Sequence, residues 1–369
     1  MGRLPSPKKF LIFLSKCLVV GFLAYLIYPG VYSHALSFLN FLTSVDSNSH
    51  TDDYIIIDTQ EDFKDSFKLP IPKDRILSSG HSVEHHLNED GDSEKLCPLV
   101  PSTLVGYKKP NTTPPASLEE VAMTLNAEGS PLHWQPLHCR PRHLVAILVP
   151  LRNRTAHLLT FLRHMHPFLQ RQQIAYRVFV IEQSDEGKFN RAKLLNVGFV
   201  EAMAALSTTE RKLDCVVFHD VDHLPEDDRN LYVCPQSPDA LQLAVSVDTD
   251  NYTVTYTNFF GAVSAMSAVT FEAVNGYSNM YWGWGGEDDD MAERLQSVGV
   301  RIVRSADVVG RYTTLAHHPQ IRSLARWEIL DRALRRKDFD GLGSLHYTRL
   351  ALKQTSLMTH ILVDLVSTN

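Results

Sequence analysis

The sequence predicts an α/β fold, and three segments carry that prediction. Leu144–Pro150 (LVAILVP) is an unbroken apolar and β-branched run of the kind buried on both faces of a sheet, and Thr155–Gln172 follows with apolar residues at helical spacing. Tyr176–Gln183 (YRVFVIEQ) then reads as a strand, Arg191–Leu206 as a helix, and Asp214–Asp222 (DCVVFHDVD) as a strand ending in acids. Sheets of this type gather ligands past the carboxyl ends of their strands, where Arg152, Arg154, Phe189, Arg191, Asp220 and Asp222 all stand.

The segments before this alternation have other tasks. Phe10–Tyr28 is apolar apart from Ser15 and Lys16, close to the roughly 20 residues that cross a bilayer, and Lys16 must snorkel or lie near the interface. Arg3, Lys8 and Lys9 precede it and no Lys or Arg follows until Lys64, so the positive-inside bias predicts a cytosolic tail (1–9), a single-pass type II signal anchor (10–30) and a lumenal remainder. A signal peptide cleaved near Ser33 and Ala35 is the alternative. Residues 31–95 read as a stem: from Ser44 they are rich in Asp, Ser, His and Asn with little periodicity, and His81, His85 and His86 read as solvated linker. Pro-rich spacing runs from Pro98 through Pro115, and one large domain is expected over 96–369.

Of five cysteines, Cys17 lies in the apolar segment, while Cys97, Cys139, Cys215 and Cys234 make the even number that a disulfide framework requires. Sequons at Asn111, Asn153 and Asn251 suit a secretory route, with Asn153 expected to stay unmodified because it stands among candidate site residues. The net charge of −6 offers no basic footprint, which argues against a nucleic-acid partner.

The densest chemistry lies in Trp282–Asp290 (WGWGGEDDD). Four consecutive carboxylates repel one another unless a cation, a helix N-terminus or a ligand's hydroxyls compensate, and the indoles offer flat faces that stack on sugar rings. An acidic helix start packed under a hydrophobic corner is the plainer reading. Asp220 and Asp222, at the end of a buried strand, suit a hard divalent cation bound through carboxylates and substrate phosphates. Arg152 and Arg154 in PLRNR and Arg191 in FNRAK add forked donors for a diphosphate, and Phe189 a ring for a base.

These motifs, PLRNR, FNRAKLLNVGF, HDVDHLPEDDRNLYVC, FFGAVSAM, NGY and WGWGGEDDD, together resemble those of the β-1,4-galactosyltransferases from about Cys97 to the C-terminus. HDVDH, Phe259-Phe260-Gly261 and GRYTTLAHH look most like the lactosylceramide-synthase branch, and PEDDRNLY is similar to invertebrate N-acetylgalactosaminyltransferase relatives. The resemblance implies a GT-A-like nucleotide-diphospho-sugar transferase fold with a mixed central sheet flanked by helices. It implies a UDP-sugar donor held by Pro150, Leu151, Arg152, Asn153, Arg154, Phe189, Asn190, Arg191, Val221, Asp222 and Trp284, and Mn²⁺ held by Asp222 and His317. The acceptor would meet Gly286, Glu287, Asp288, Asp289 and Arg326, with Asp288 as general base, and Cys97–Cys139 and Cys215–Cys234 would be disulfides. Inverting transfer needs such a base opposite the leaving UDP. Judged without the resemblance, His317 as ligand, His318 beside it and a merely surface histidine stand even. His317–Leu342, rich in Arg, suits a lid whose Trp327 and Leu330 face the acceptor, although Arg332–Lys337 also reads as a basic surface helix.

Some residues depart from the family. Thr314 stands where the best-known members carry methionine, and a hydroxyl is a poorer soft ligand than a thioether. Ala262 replaces a glycine, and Thr249 and Asp239 replace basic residues. Phe259 stands where a bulky aromatic accompanies galactose and a smaller aliphatic residue accompanies N-acetylgalactosamine. The expectation is a Golgi membrane enzyme that moves galactose from UDP-galactose in β-1,4 linkage to glucose or N-acetylglucosamine on a glycolipid or glycoprotein. Use of UDP-N-acetylgalactosamine and an inactive lectin-like binder are the alternatives.

Overall fold

The computed structural model describes residues 56–57, 95–127, 134–207, 211–236, 238–254, 256–318 and 322–366. The expected tail, the anchor and nearly all of the stem, with Cys17, His81, His85 and His86, lie outside these residues. Among the described residues no helix is long and apolar enough to cross a membrane.

In chain order the strands are β1 (Ile56–Ile57), β2 (Leu144–Leu151), β3 (Ala175–Gln183), β4 (Cys215–His219), β5 (His223–Pro225), β6 (Ala240–Gln242), β7 (Ser246–Val247), β8 (Val263–Ser267), β9 (Ile302–Ser305), β10 (Arg311–Thr314), β11 (Thr348–Gln354) and β12 (Thr359–Asp364). The helices are α1 (Leu118–Thr124), α2 (Thr155–Arg171), α3 (Arg191–Leu206), α4 (Ala268–Ala273), α5 (Glu287–Ser297), α6 (Arg326–Asp331) and α7 (Ala333–Arg336). Among the described residues, nine strands form a mixed sheet in the order β1-β9-β6-β8-β4-β2-β3-β12-β11, and β5-β10-β7 form a smaller one. The two residues of β1, from within the expected stem, pair in parallel with β9.

Strands β2, β3 and β4 run parallel at the centre because their alternate residues are apolar on both faces. Val145, Ile147 and Val149 face a layer holding Phe161, Leu162 and Met165 of α2. Leu144, Ala146 and Leu148 face the opposite layer, with Leu194, Leu195 and Val197 of α3. Helix α2 runs through Pro167, since the packing of its buried stripe outweighs the lost hydrogen bond. Helix α3 can lie close to the sheet because of Gly198: a Cβ there would sit 2.6 Å from Ile181 Cδ1.

The third central strand is shorter than its sequence suggests. It ends at His219, and Asp220-Val221-Asp222 forms a turn past it, closed by the His223 N–H on the Asp220 carbonyl at 3.2 Å. The reason is β8, the antiparallel partner, which begins at Val263 after Ala262 takes a left-handed φ of 55°. The two acids are therefore held by a turn anchored to the sheet.

Cys97 is bonded to Cys139 and Cys215 to Cys234, the pairing the resemblance implied. The second bridge ties buried β4 to a segment 19 residues on. A double Cys215→Ala, Cys234→Ala variant should lose about 3 kcal/mol of unfolding free energy in urea titrations, the usual effect of a loop of that size.

Candidate active site

Each central strand delivers its polar residues through the turn that follows it. After β2, Asn153 adopts φ 52° and Arg154 extends Nη1 to 2.7 Å from Asp222 Oδ2. Arg152 donates to the Gly187 carbonyl and lies 5.3 Å over the Phe189 ring. After β3, buried Gln183 accepts the Asn190 N–H at 3.0 Å and donates to Asp185 and the Lys188 carbonyl, which sets the turn carrying Phe189. Asn190 caps α3 by accepting the Lys193 N–H at 2.8 Å. Arg191, the first residue of α3, reaches Asp220 at 2.5 Å through Nε and the Ala262 carbonyl at 3.4 Å through Nη2.

Asp222 is the hub of this arrangement. Its Oδ2 lies 2.9 Å from His317 Nε2 and its Oδ1 lies 2.9 Å from His223 Nδ1. Burial alone would favour its neutral form, yet the hydrogen bonds from His223 and His317 and the charge of Arg154 hold it well below the usual carboxylate range. The hydrogen bond to Asp222 outweighs desolvation and raises His317. Ligand atoms of Asp220, Asp222 and His223 lie within 4.8 Å of one another, a cluster able to hold a metal ion. Across β5 and β10, Thr314 stands opposite His223, so their side chains share a face. The Thr314 hydroxyl is buried with no hydrogen-bond partner among the described residues.

The acid run forms the first turn of α5, where the helix dipole offsets part of its charge. Gly286 caps the helix at φ 95°, and a Cβ there would also meet the Tyr281 ring at 2.8 Å, so the position requires glycine. Burial and the charge of Asp288 push Glu287 up to about 7 against the pull of Arg191, whose Nη1 lies 3.7 Å away. Burial and the charge of Asp289 raise Asp288 as well. Asp288 faces Gly261, where a Cβ would sit 2.6 Å from Asp288 Oδ2 and 2.8 Å from the Phe259 ring. Asp289 accepts the Tyr256 hydroxyl at 2.5 Å. Asp290 turns inward to buried Arg294, also at 2.5 Å, and Arg336 of α7 reaches the same carboxylate at 3.4 Å. Arg336 is thus tied to α5 and is not part of a purely solvated face.

One cleft gathers Pro150, Arg152, Arg154, Phe189, Arg191, Val221, Asp222, Trp284, Glu287 and His317, joined by Asp220, His223 and Gly283. Asn153 lines the neighbouring polar recess formed by Glu182–Gly187. Leu151 and Asn190 are buried beneath these surfaces. Trp284 is exposed, with Arg322 stacked on it at 5.3 Å and Arg326 at 6.0 Å, and Arg326 also covers exposed Trp327. Asp239 pairs with Arg301 at 2.7 Å, and Thr249 lies in a short turn beside Asp248. Sequence reasoning assigned no role to His223 and overlooked Tyr256. Adjacency to Asp222 could have flagged the first, whereas no local pattern marks the second.

Two family models match the chain: the N-terminal region of glycosyl transferase group 7 over residues 97–235, and the N-terminal domain of galactosyltransferase over 241–318. β-1,4-Galactosyltransferase 4 of Mus musculus is 41% identical over 308 residues, 80% of this chain and 87% of that protein. β-1,4-Galactosyltransferase 5 of Danio rerio is 42% identical over 278 residues, 74% and 71% of the two chains. Among solved structures, the catalytic domain of Drosophila β1,4-galactosyltransferase 7 with xylobiose superposes with a TM-score of 0.51 at 30% identity, covering 61% of this chain and 95% of that one. A mutant of that enzyme, solved with manganese, UDP-Gal and xylobiose, matches equally well. The fold is of the GT-A glycosyltransferase type.

The Asp290–Arg294 pair has a measurable consequence. Arg294→Met would leave a buried carboxylate without its main partner, and chemical unfolding should show a loss of about 3–5 kcal/mol.

Proposed function

The chain belongs to the β-1,4-galactosyltransferase family, and from that premise we propose that it transfers galactose from UDP-galactose, with inversion and using Mn²⁺, in β-1,4 linkage to a terminal glucose or N-acetylglucosamine of a glycolipid or glycoprotein. The observation that carries this reading is the 2.9 Å contact between Asp222 Oδ2 and His317 Nε2 within the arginine-lined cleft.

The donor set fits the cation. A carboxylate oxygen of Asp222 and an imidazole nitrogen of His317 stand 2.9 Å apart at the cleft and would together hold it. His317 Nδ1 donates to the His318 carbonyl at 2.8 Å, so Nε2, which faces Asp222, is the atom that would ligate on giving up its proton. Carboxylate oxygen suits Mn²⁺, and the Thr314 hydroxyl, without a hydrogen-bond partner among the described residues, shares a face with His223 beside Asp222. Asp222 and His317 would hold the cation, which would supply positive charge beside the diphosphate.

The chain's own residues supply the remainder. Arg152, Arg154 and Arg191 bind the diphosphate, and Phe189, braced by Arg152, stacks on the base. Phe259 packs against Gly261 beside Asp288, and its bulk, read as disfavouring an added acetamido group, supports galactose over N-acetylgalactosamine. Gly286, Glu287, Asp289 and Arg326 orient the acceptor, and Asp288 takes its hydroxyl proton. As that proton moves to Asp288, the hydroxyl oxygen bonds to the anomeric carbon on the face opposite UDP, and the carbon–oxygen bond to the β-phosphate breaks with its electron pair departing on UDP. The apolar segment 10–30 supports a type II Golgi anchor followed by a stem (31–95) and a lumenal catalytic domain (96–369).

The test is UDP release by the full chain with Mn²⁺, comparing UDP-galactose with UDP-N-acetylgalactosamine and glucosylceramide with an N-acetylglucosaminide. Release is expected with UDP-galactose; preference for the other donor overturns the reading of Phe259, and no acceptor-dependent release with either donor overturns the enzyme assignment. Asp288→Asn should lower kcat by about 10²- to 10⁴-fold with little change in donor KM. Because Asp288 works only when ionised and is held above its ordinary value, activity should be present at alkaline pH and lost as pH falls through that raised value. The acid limb of kcat/KM should therefore lie above the ordinary aspartate range.

A further inference from the structure

We propose that a buried relay running Asn230–Tyr312–Tyr232–His219 positions the turn bearing Asp222 against the strand leading to His317, making Tyr232 and Tyr312 positioning residues for the cation. The proposal rests on the reading of Asp222 and His317 as metal ligands.

His219 closes β4 one residue before Asp220, and its ring is fully buried. Its Nδ1 lies 3.0 Å from the Asp220 carbonyl, which can only accept, so Nδ1 carries the proton and Nε2 must accept. The group 2.9 Å from Nε2 is the Tyr232 hydroxyl, which therefore donates. With its proton committed, that oxygen accepts from the Tyr312 hydroxyl at 2.9 Å. The Tyr312 oxygen in turn accepts the Asn230 amide at 3.1 Å. Asn230 is itself held by the Leu243 carbonyl at 3.1 Å and by the Ser305 hydroxyl at 2.7 Å. Every donor in the relay points the same way, from Asn230 to the peptide of Asp220, an arrangement in which each bond polarises the next.

The relay joins the elements that carry the two ligands. Tyr312 lies in β10, pairing with Pro225 of β5, and two residues on Thr314 pairs with His223. Leu315, directly after β10, donates to the Asp222 carbonyl at 2.7 Å, and His317 follows. The buried side chains thus tie β10 to the end of β4 from within, while the backbone contact ties them at the cleft. Neither tyrosine lines the cleft. Their effect on the cation must therefore pass through the placement of Asp222 and His317.

A similar pair at the other end of the sheet gives the control. Tyr176, near the start of β3, lies with its hydroxyl 2.8 Å from His166 Nδ1, and both are buried. Breaking it removes a comparable bond far from the strand ends that carry the site.

The experiment measures Mn²⁺ affinity of the full chain without donor, by electron paramagnetic resonance of free Mn²⁺, together with the thermal midpoint in chelator. Tyr232→Phe should weaken Mn²⁺ binding about tenfold or more, the usual effect of removing an outer-shell partner. Tyr312→Phe, which keeps the His219–Tyr232 bond, should give a smaller loss and serves if Tyr232→Phe does not fold. Tyr176→Phe should lower the midpoint while keeping the parent's Mn²⁺ affinity. Lowered midpoints with parental Mn²⁺ affinity in Tyr232→Phe and Tyr312→Phe overturn the proposal. Asp222→Asn separates the two failures: if it binds Mn²⁺ as the parent does, the ligand assignment itself falls, and the relay's role with it.

Discussion

Val145, Ile147 and Val149 are pressed into one helical layer while Leu144, Ala146 and Leu148 are pressed into the other, and this double burial of the central strands governs everything built at their ends. A strand enclosed on both faces cannot slip by one residue without exchanging its two sets of side chains. The register of β2, β3 and β4 is therefore rigid, and the turns bearing Arg152, Phe189, Arg191, Asp220 and Asp222 leave the sheet at set positions. The cleft is a consequence of that rigidity.

In and beside the cleft, acids of similar chemistry behave in opposite ways because their neighbours differ. Asp222 is surrounded by two imidazoles and a guanidinium that hold it ionised despite burial. Burial pushes Glu287 and Asp288 toward the neutral form, helped by the charge of Asp288 on the first and of Asp289 on the second. Arg191 stands between the groups, paired with Asp220 and close to Glu287. On the proposed reading, a carboxylate that stays charged would serve the cation and one raised toward neutrality would serve as the base.

Support behind the cleft is polar as well as apolar. Asp290 and Arg294 of α5 lie fully buried as a pair, with Arg336 brought in from α7, so the helix bearing Asp288 and the Arg-rich segment share one anchor. The Tyr232–Tyr312 pair lies buried behind the turn bearing Asp222. Buried networks of this kind tolerate little change, since losing one member orphans the next.

The central part of the fold was legible in the sequence because its signals are local. The helix Arg191–Leu206 has the bounds its pattern predicts, and β2 and β3 differ from their apolar runs by one residue at an end. The DVD turn was misjudged as strand, because its backbone is set by Ala262, more than forty residues away. The short strands β5, β7 and β10 have no periodic pattern and exist only as partners of one another. The acid run was legible as chemically unusual and, on its plainer reading, as a helix start, which it is, but that Asp289 accepts from Tyr256 depends on residues that meet only after folding. Composition and spacing by themselves determined which residue types stand at the strand ends. Only the tertiary structure decided which of them share a cleft, because hydrogen bonds and charge pairing act between groups a few ångströms apart in space however far apart they lie in the chain.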